Sequence, residues 1–233
     1  MSRFLTRIHE NIGDERVRVA LSLMERNESA KVIDFGCWDG DITLKIGKAT
    51  GATDLYGIDI EDKGIQLSTE KGIKVFPYDL NEPLPIDNET FDAVFSGETL
   101  EHVPMTDNLV KEAYRILKPG GYIVITTPNL AALHHIFALV LGLQPVAVMV
   151  SDEMRVGYPL LSPHSLVEFH GRYSGHYRVF TYYALKELFE HHGFKVEKIV
   201  GVGYLPFPVK IGRVLSRLNP RHAVYLVMKA RKA

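Results

Sequence analysis

A chain of 233 residues, 46% hydrophobic and 24% charged, is long enough for one sizeable core and close to average globular composition. Its formal charge of −1 excludes a global field that would by itself attract or repel nucleic acid, and a single cysteine, Cys37, excludes an intramolecular disulfide. The first residues hold no apolar run of signal-peptide length, and residues 136–150, the most apolar window, are too few and too interrupted by Gly142 and Pro145 to span a bilayer, so a cytoplasmic location is the expectation.

Residues 1–29 read as a helical segment, with Val17, Val19 or Ala20, and Leu23 or Met24 facing a sheet. Short β-branched runs follow, KVIDF, DLYGIDI, IKVF, FDAVFS and YIVITT, separated by amphipathic segments. That alternation predicts a parallel sheet covered by helices. The helix from about Asp107 sets Leu109, Val110, Ala113, Tyr114 and Leu117 on one face and stops at Lys118-Pro119-Gly120-Gly121. Residues 130–178 fit the alternation poorly and are too long for a plain connection, so they read as an inserted cap on a single domain. A helix after Thr181 buries Ala184, Leu185, Leu188 and Phe189, with Gly193 as its cap, and FKVEKIVGV and AVYLVMKARK close the sheet.

The stretch VIDFGCWDG runs from the first strand through a glycine loop into a helix, where an open parallel sheet binds a nucleotide-like ligand. A dinucleotide loop needs G-x-G-x-x-G; here Trp38 and Asp41 stand at the second and third glycine positions, and no Gly-Lys-Ser/Thr is present for a triphosphate. The loop therefore suits a cofactor without phosphates. Asp59 ends the second strand where a carboxylate can accept from both ribose hydroxyls, and Asp79-Leu80 follows the third strand, placed to meet an adenine edge. With Asp34, these carboxylates suit an adenosine with a cationic tail, which describes S-adenosylmethionine.

The series VIDFGCWDG, YGIDI, PYDLNEPLPIDNETFDAVFS, LEHV and RILKPGGYIVITTPN resembles the class I S-adenosylmethionine-dependent methyltransferases, specifically the type 11 group, over about residues 30–130 with a weaker echo to 194. The resemblance implies a Rossmann-like seven-stranded sheet, its last strand antiparallel, with the cofactor across the strand ends and S-adenosylhomocysteine as product. It places Asp34 and Gly36 at the amino-acid end, Gly40 in the tight turn, Asp59 on the ribose, Ile60 against adenine and Asp79 on its exocyclic amine. Cys37, Leu80 and Ser96 complete that site, and Trp38 is expected to wall the methionine end. The N-terminal segment is expected to cover the cofactor and to add no chemistry.

Methyl transfer needs an acceptor held in line, and a base where the acceptor is a hydroxyl. In SGETLEHVP, Glu98, Glu101 and His102 are spaced i, i+3, i+4, which puts all three on one face if the stretch is helical. His102 is the expected general base or acceptor-orienting group, with Glu101 fixing its ring; Glu98, His176 and Arg178 are expected substrate contacts. Glu98, Glu101, His102 and His176 also suit a divalent ion, and E-x-x-E-H is similar to the metal-binding motif of the ubiquinone-pathway O-methyltransferases and the small-RNA 3′-terminal ribose methyltransferases. A metal is not the favoured reading, because many relatives carry L-E-H-V as a structural turn without one. Within the cap, residues 131–150 read as a buried helix with a packing loop, or as the lining of a lipid-like acceptor pocket. Arg155, His164, His170, Arg172, His176 and Arg178 in its second half suit a carboxylate, phosphate or sugar. From Lys210 to the end there are seven Lys or Arg and no Asp or Glu, which suits a phosphate backbone or, on a last strand, protection of a sheet edge. The leading expectation is O-methylation of a small-molecule acceptor. The alternatives are a metal-dependent RNA 2′-O-methyltransferase and a non-catalytic S-adenosylmethionine-binding module; nothing in the sequence sets the oligomeric state.

Overall fold

The computed structural model describes residues 3–151, 156–157 and 175–233. Seven strands, β1 (Lys31–Phe35), β2 (Asp54–Asp59), β3 (Lys74–Pro77), β4 (Phe91–Gly97), β5 (Leu117–Pro128), β6 (Phe194–Val202) and β7 (Tyr225–Lys232), form one sheet in the order β3-β2-β1-β4-β5-β7-β6. Only β7 is antiparallel to its neighbours, β5 and β6. The chain steps from β1 outward to β2 and β3, then returns to place β4 on the other side of β1. That reversal opens a crevice at the carboxyl ends of β1 and β4, the position where open α/β sheets hold ligands.

Alternation along β1 assigns the two cores: Ile33 and Phe35 face one side and Val32 the other. The first side is covered by α4 (Thr106–Ile116) and α6 (Tyr182–His191), through Leu109, Ala113, Leu185 and Phe189. The second is covered by α1 (Arg3–Leu21), α2 (Asp41–Thr50) and α7 (Val209–Leu218), through Ile8, Ile12, Ile46 and Val209. α3 (Asp62–Glu70) lies against β2 and β3, and α5 (Leu133–Val140) follows β5. No helix among the described residues is long and apolar enough to cross a membrane.

Several boundaries differ from the pattern read in the sequence. Ile8 and Ile12 anchor α1 more deeply than Val17 or Val19, because the helix packs from its first turns rather than only its last. Leu117 is the first residue of β5, and Lys118-Pro119-Gly120-Gly121 lies inside that strand at an irregularity in its pairing with β4. Ala184 is exposed, whereas Leu185 and Phe189 are buried as expected. α7 was not expected, because its large apolar residues Ile211, Val214 and Leu218 face solvent while Gly212 and Ser216 face the protein. β7 is an interior strand and β6 the edge, so the closing lysines do not protect an edge. They are spent within the fold: Lys229 and Arg231 pair with Glu25 and Glu197, and Lys232 with Glu89.

In the cap, α5 buries His135 alone among its residues and exposes Phe137, Leu139 and Val140, against the expectation of a buried helix. Arg155, His164, His170 and Arg172 lie outside the described residues.

Candidate active site

The glycine loop between β1 and α2 is shaped by contacts that a side chain would block. Gly36 has φ +75°, and a Cβ there would stand 2.4 Å from Thr99 Oγ1, so loop and β4 turn approach closely only because this residue is glycine. Gly40, at φ +77°, meets Ile73 Cδ1 in the same way at 2.4 Å. Asp59 ties the loop to β2: its Oδ2 accepts from the Trp38 N–H at 2.8 Å, and its Oδ1 accepts from Ile60 and Glu61 N–H at 2.8 and 3.0 Å. Asp79 accepts from the backbone and side chain of Asn81 at 2.9 and 2.8 Å, closing the turn that also carries Leu80.

Asp34 is buried at the sheet centre, accepts from Thr43 Oγ1 at 2.6 Å, and has its carboxyl pushed up to about 7 by burial, with the Asp59 charge adding to the rise. Ser96 pairs with Phe35 across β1 and β4, and its hydroxyl is buried without a partner among the described residues. Cys37 turns its thiol into β2, where a Cβ on Gly57 would lie 2.4 Å from Sγ. Burial pushes that thiol up to about 12, so it is a packing group rather than a nucleophile. Trp38 leans over the start of α3, its Cε3 3.0 Å from where a Cβ on Gly64 would stand. The residues read as cofactor contacts thus converge at the carboxyl ends of β1 to β4. A loop that only glycine leaves open, with Asp34, Asp59 and Asp79 at or just beyond the ends of β1, β2 and β3, fits a cationic adenosine derivative.

The second group forms where β4 ends. Glu98 adopts φ +55°, uncommon for a residue with a side chain, and its carboxylate turns to Arg16 of α1 at 2.5 Å and to Thr126 Oγ1 at 3.0 Å. A 3₁₀ turn, Leu100–His102, then presents Glu101 and His102. Glu98 therefore leaves the face that an α-helical spacing would give it; His176 takes its place, and one ligand atom from each of Glu101, His102 and His176 lies within 4.8 Å of the others. The Glu101 carbonyl accepts from Tyr177 N–H at 2.7 Å and Arg178 N–H at 3.2 Å, which docks His176 over the turn. Arg178 itself is exposed and outside this cluster.

Both imidazoles are held through Nδ1. His102 Nδ1 lies 3.0 Å from the Gly175 carbonyl and His176 Nδ1 2.9 Å from that of Ala147. A carbonyl only accepts, so Nδ1 carries hydrogen in both rings, and the tautomer this selects has its acceptor nitrogen at Nε2. The ring of His102 is thus fixed by Gly175, not by Glu101 as expected from sequence. Glu101 is fully buried; Thr127 Oγ1 donates to its Oε2 at 3.1 Å, while Oε1 has no partner among the described residues. Burial, reinforced by the Glu98 charge, holds its carboxyl well above the ordinary range.

Sequence reasoning missed Arg16, placed on a segment thought to add no chemistry. Its guanidinium stacks on Tyr225 at 4.9 Å, and its Nε is buried without a partner among the described residues. It also left His134 and His135 unassigned. Both have buried ring nitrogens without partners among the described residues, His134 Nδ1 and His135 Nε2, and burial lowers the pKa of both, that of His134 to about 3. Two adjacent histidines inside an apolar stretch were the available signal.

A switch-point crevice, a glycine loop with carboxylates at the neighbouring strand ends and a buried polar cluster beyond β4 together define a class I S-adenosylmethionine-dependent methyltransferase. Residues 4–199 match the family model described as a methyltransferase domain, and the chain belongs to that family. It is 29% identical over 225 residues to a ubiquinone biosynthesis O-methyltransferase of Chromobacterium violaceum, covering 91% of this chain and 84% of that protein. It is 28% identical over 186 residues to the mitochondrial ubiquinone biosynthesis O-methyltransferase of Rattus norvegicus, covering 76% of this chain but only 48% of that protein. The chain thus spans about half the length of the mammalian relatives it matches. A solved S-adenosylmethionine-dependent methyltransferase from Thermotoga maritima superposes with a TM-score of 0.63 at 16% identity, over 97% of this chain and 91% of that one, which is a likeness of fold.

Proposed function

We propose that this chain methylates a hydroxyl oxygen of a small, largely apolar acceptor bound between the β4 turn and the cap. S-adenosylmethionine, when bound, supplies the methyl group and leaves as S-adenosylhomocysteine. Asp59 and Asp79 hold the adenosine end, and Asp34 with the Gly36 cradle receives the cationic end. His102 takes the hydroxyl proton on Nε2 as the oxygen attacks, and the Gly175 carbonyl stabilises the imidazolium through Nδ1. The fixed tautomer of His102 carries this reading. The apolar character of the acceptor is supported by the exposed Phe137, Leu139 and Val140 of α5 and by the names of the two O-methyltransferase relatives.

The test is to incubate the protein with methyl-labelled S-adenosylmethionine and a fractionated extract of its own source cells. Label in the small-molecule or lipid fraction, lost in His102→Ala, is the expected result. Label in no fraction, from protein that binds the cofactor, would leave the chain a binding module.

One observation favours a second reading. Glu101 Oε1, buried without a partner among the described residues, lies beside two imidazoles whose Nδ1 hydrogens are held by carbonyls, the arrangement that outer partners give metal-ligating histidines. Glu101, His102 and His176 would hold a divalent ion, which would lower the pKa of an acceptor hydroxyl. Chelator-sensitive labelling selects this reading, and such labelling in the RNA fraction selects an RNA 2′-O-acceptor.

A further inference from the structure

Away from the crevice, α1, β6 and α7 enclose a cleft of 420 Å³. β6 lies three strands beyond β4 in the sheet, about 14 Å at the ordinary strand spacing, so this cleft is separate from the methyl-transfer site. Its volume falls within the range of small-molecule sites, roughly 300–1,000 Å³.

Its walls divide by chemistry. Ile12, Val19, Val200 and Val202 form an apolar floor. Four cations reach it, Arg18, Lys198, Arg213 and Arg217, against one carboxylate, Glu15. Glu15 is buried and engages Arg18 and Arg213 together, the latter at 2.7 Å through both oxygens. Lys198 and Arg217 make no ion pair among the described residues, and because the single Glu15 carboxylate is shared by Arg18 and Arg213, the cleft keeps an excess of positive charge. The third feature is Ser216, which lines the cleft from α7. It is 6% exposed, yet its hydroxyl has no hydrogen-bond partner among the described residues. A serine inside a helix ordinarily back-bonds to the preceding turn. Leaving a buried hydroxyl unpaired costs about 1–3 kcal/mol. A site that retains this cost beside two free cations and an apolar floor has the composition of a receptor for an anion with an apolar body.

We propose that the cleft between α1, β6 and α7 is a second binding site, for a small amphipathic anion carrying one carboxylate or phosphate. The head group accepts from Ser216 Oγ and pairs with Arg217 and Lys198, and the body covers Ile12, Val19 and Val200. At about 30 Å³ for each water-sized group, the volume admits roughly fourteen such groups, the size of a medium-chain acid rather than a diacyl lipid. The proposal is independent of the acceptor assigned above.

The experiment is calorimetric titration of the full chain, saturated with S-adenosylhomocysteine, with decanoate and with decyl phosphate; decanol and inorganic phosphate are the controls. Binding of at least one alkyl anion, at least about tenfold tighter than decanol and than inorganic phosphate, is expected, and the preferred anion shows which head group the site takes. Lys198→Gln and Arg217→Gln, both at exposed positions, should each weaken it about five- to tenfold, as expected for loss of a partly solvated charge-assisted contact. Ser216→Leu should fill the cleft and abolish binding while S-adenosylhomocysteine affinity stays unchanged; if that variant fails to fold, the two Gln variants decide. The proposal is overturned if neither anion binds, if decanol binds as tightly, if both Gln variants bind as the parent does, or if the anion displaces S-adenosylhomocysteine.

Discussion

At the carboxyl ends of β1 and β2 the polar side chains are already bonded within the fold, whereas around Glu101 buried polar atoms outnumber their partners. Asp59 accepts three backbone N–H groups, Asp79 is closed on Asn81, and Asp34 on Thr43. Across the crevice, Arg16 Nε, Glu101 Oε1, His134 Nδ1 and His135 Nε2 are all buried without partners among the described residues. Each unmade bond costs about 1–3 kcal/mol. Apart from the Ser96 hydroxyl, which is buried without a partner among the described residues, the side chains expected at the cofactor are bonded within the fold, while the other side of the crevice keeps several polar valences open.

If that division holds, variants on the two sides separate binding from turnover. The largest effect belongs to the acceptor half: His102→Ala should lower kcat by about 10²–10⁴ and leave S-adenosylmethionine affinity within about twofold, measured by steady-state kinetics and calorimetry. Full activity would remove the imidazole from the chemistry. Asp59→Ala should weaken the cofactor by about 30- to 100-fold if Asp59 holds the ribose as proposed, since the Trp38 N–H is freed as well and each tenfold is about 1.4 kcal/mol. Unchanged affinity would show that the loop holds its shape without Asp59.

A third, smaller effect is a pH dependence. Asp34, with its carboxyl at about 7, is protonated in the native state at pH values where it is ionised when unfolded. It therefore takes stability away as pH rises from about 4 through 7. A cationic ligand prefers the ionised form, so S-adenosylmethionine affinity should rise about tenfold between pH 6 and pH 8. Asp34→Asn should flatten the profile; a profile that persists in the variant assigns the titration elsewhere.

The smallest effect tests neither half but the scaffold that joins them. Arg18 and Arg213 hold the Glu15 carboxyl down at about 2. The pairing stabilises the fold above the unfolded value of about 4.5 and is lost as pH falls toward 2. Both guanidiniums are well exposed, so Glu15→Gln should cost about 1–2 kcal/mol at pH 7 after solvent screening, a shift of a few degrees in Tm. At pH 2 the two proteins should melt together.

The cofactor half was legible because one strand, one loop and one helix carry most of it in a contiguous stretch, and the spacing of Gly36, Gly40 and Asp59 follows from that unit. The acceptor half was legible in the LEHV turn and in His176, which the resemblance set beside it, but not in the contacts that assemble them. His176 enters because backbone N–H groups of Tyr177 and Arg178 find the Glu101 carbonyl, a pairing that leaves no mark in residue type. Arg16 enters from a helix packed across the sheet. Glu98 departs from its expected face because a left-handed backbone redirects it, at a residue where no glycine announces the turn. α7 escaped for a different reason: apolar periodicity identifies the buried face of a helix, and here that face is small while the large apolar residues look outward.

Glu15 and Arg16 are neighbours on α1, the first bound to α7 and the second to Glu98. Glu98 is partly buried, so stripping its carboxylate of the Arg16 cation is unfavourable. Withdrawal of α1 from the crevice is therefore tied to neutralisation of Glu98 by a proton or by another cation. The two ion pairs of α1 therefore fasten it to the crevice on one side and to α7 on the other by charge as well as by packing.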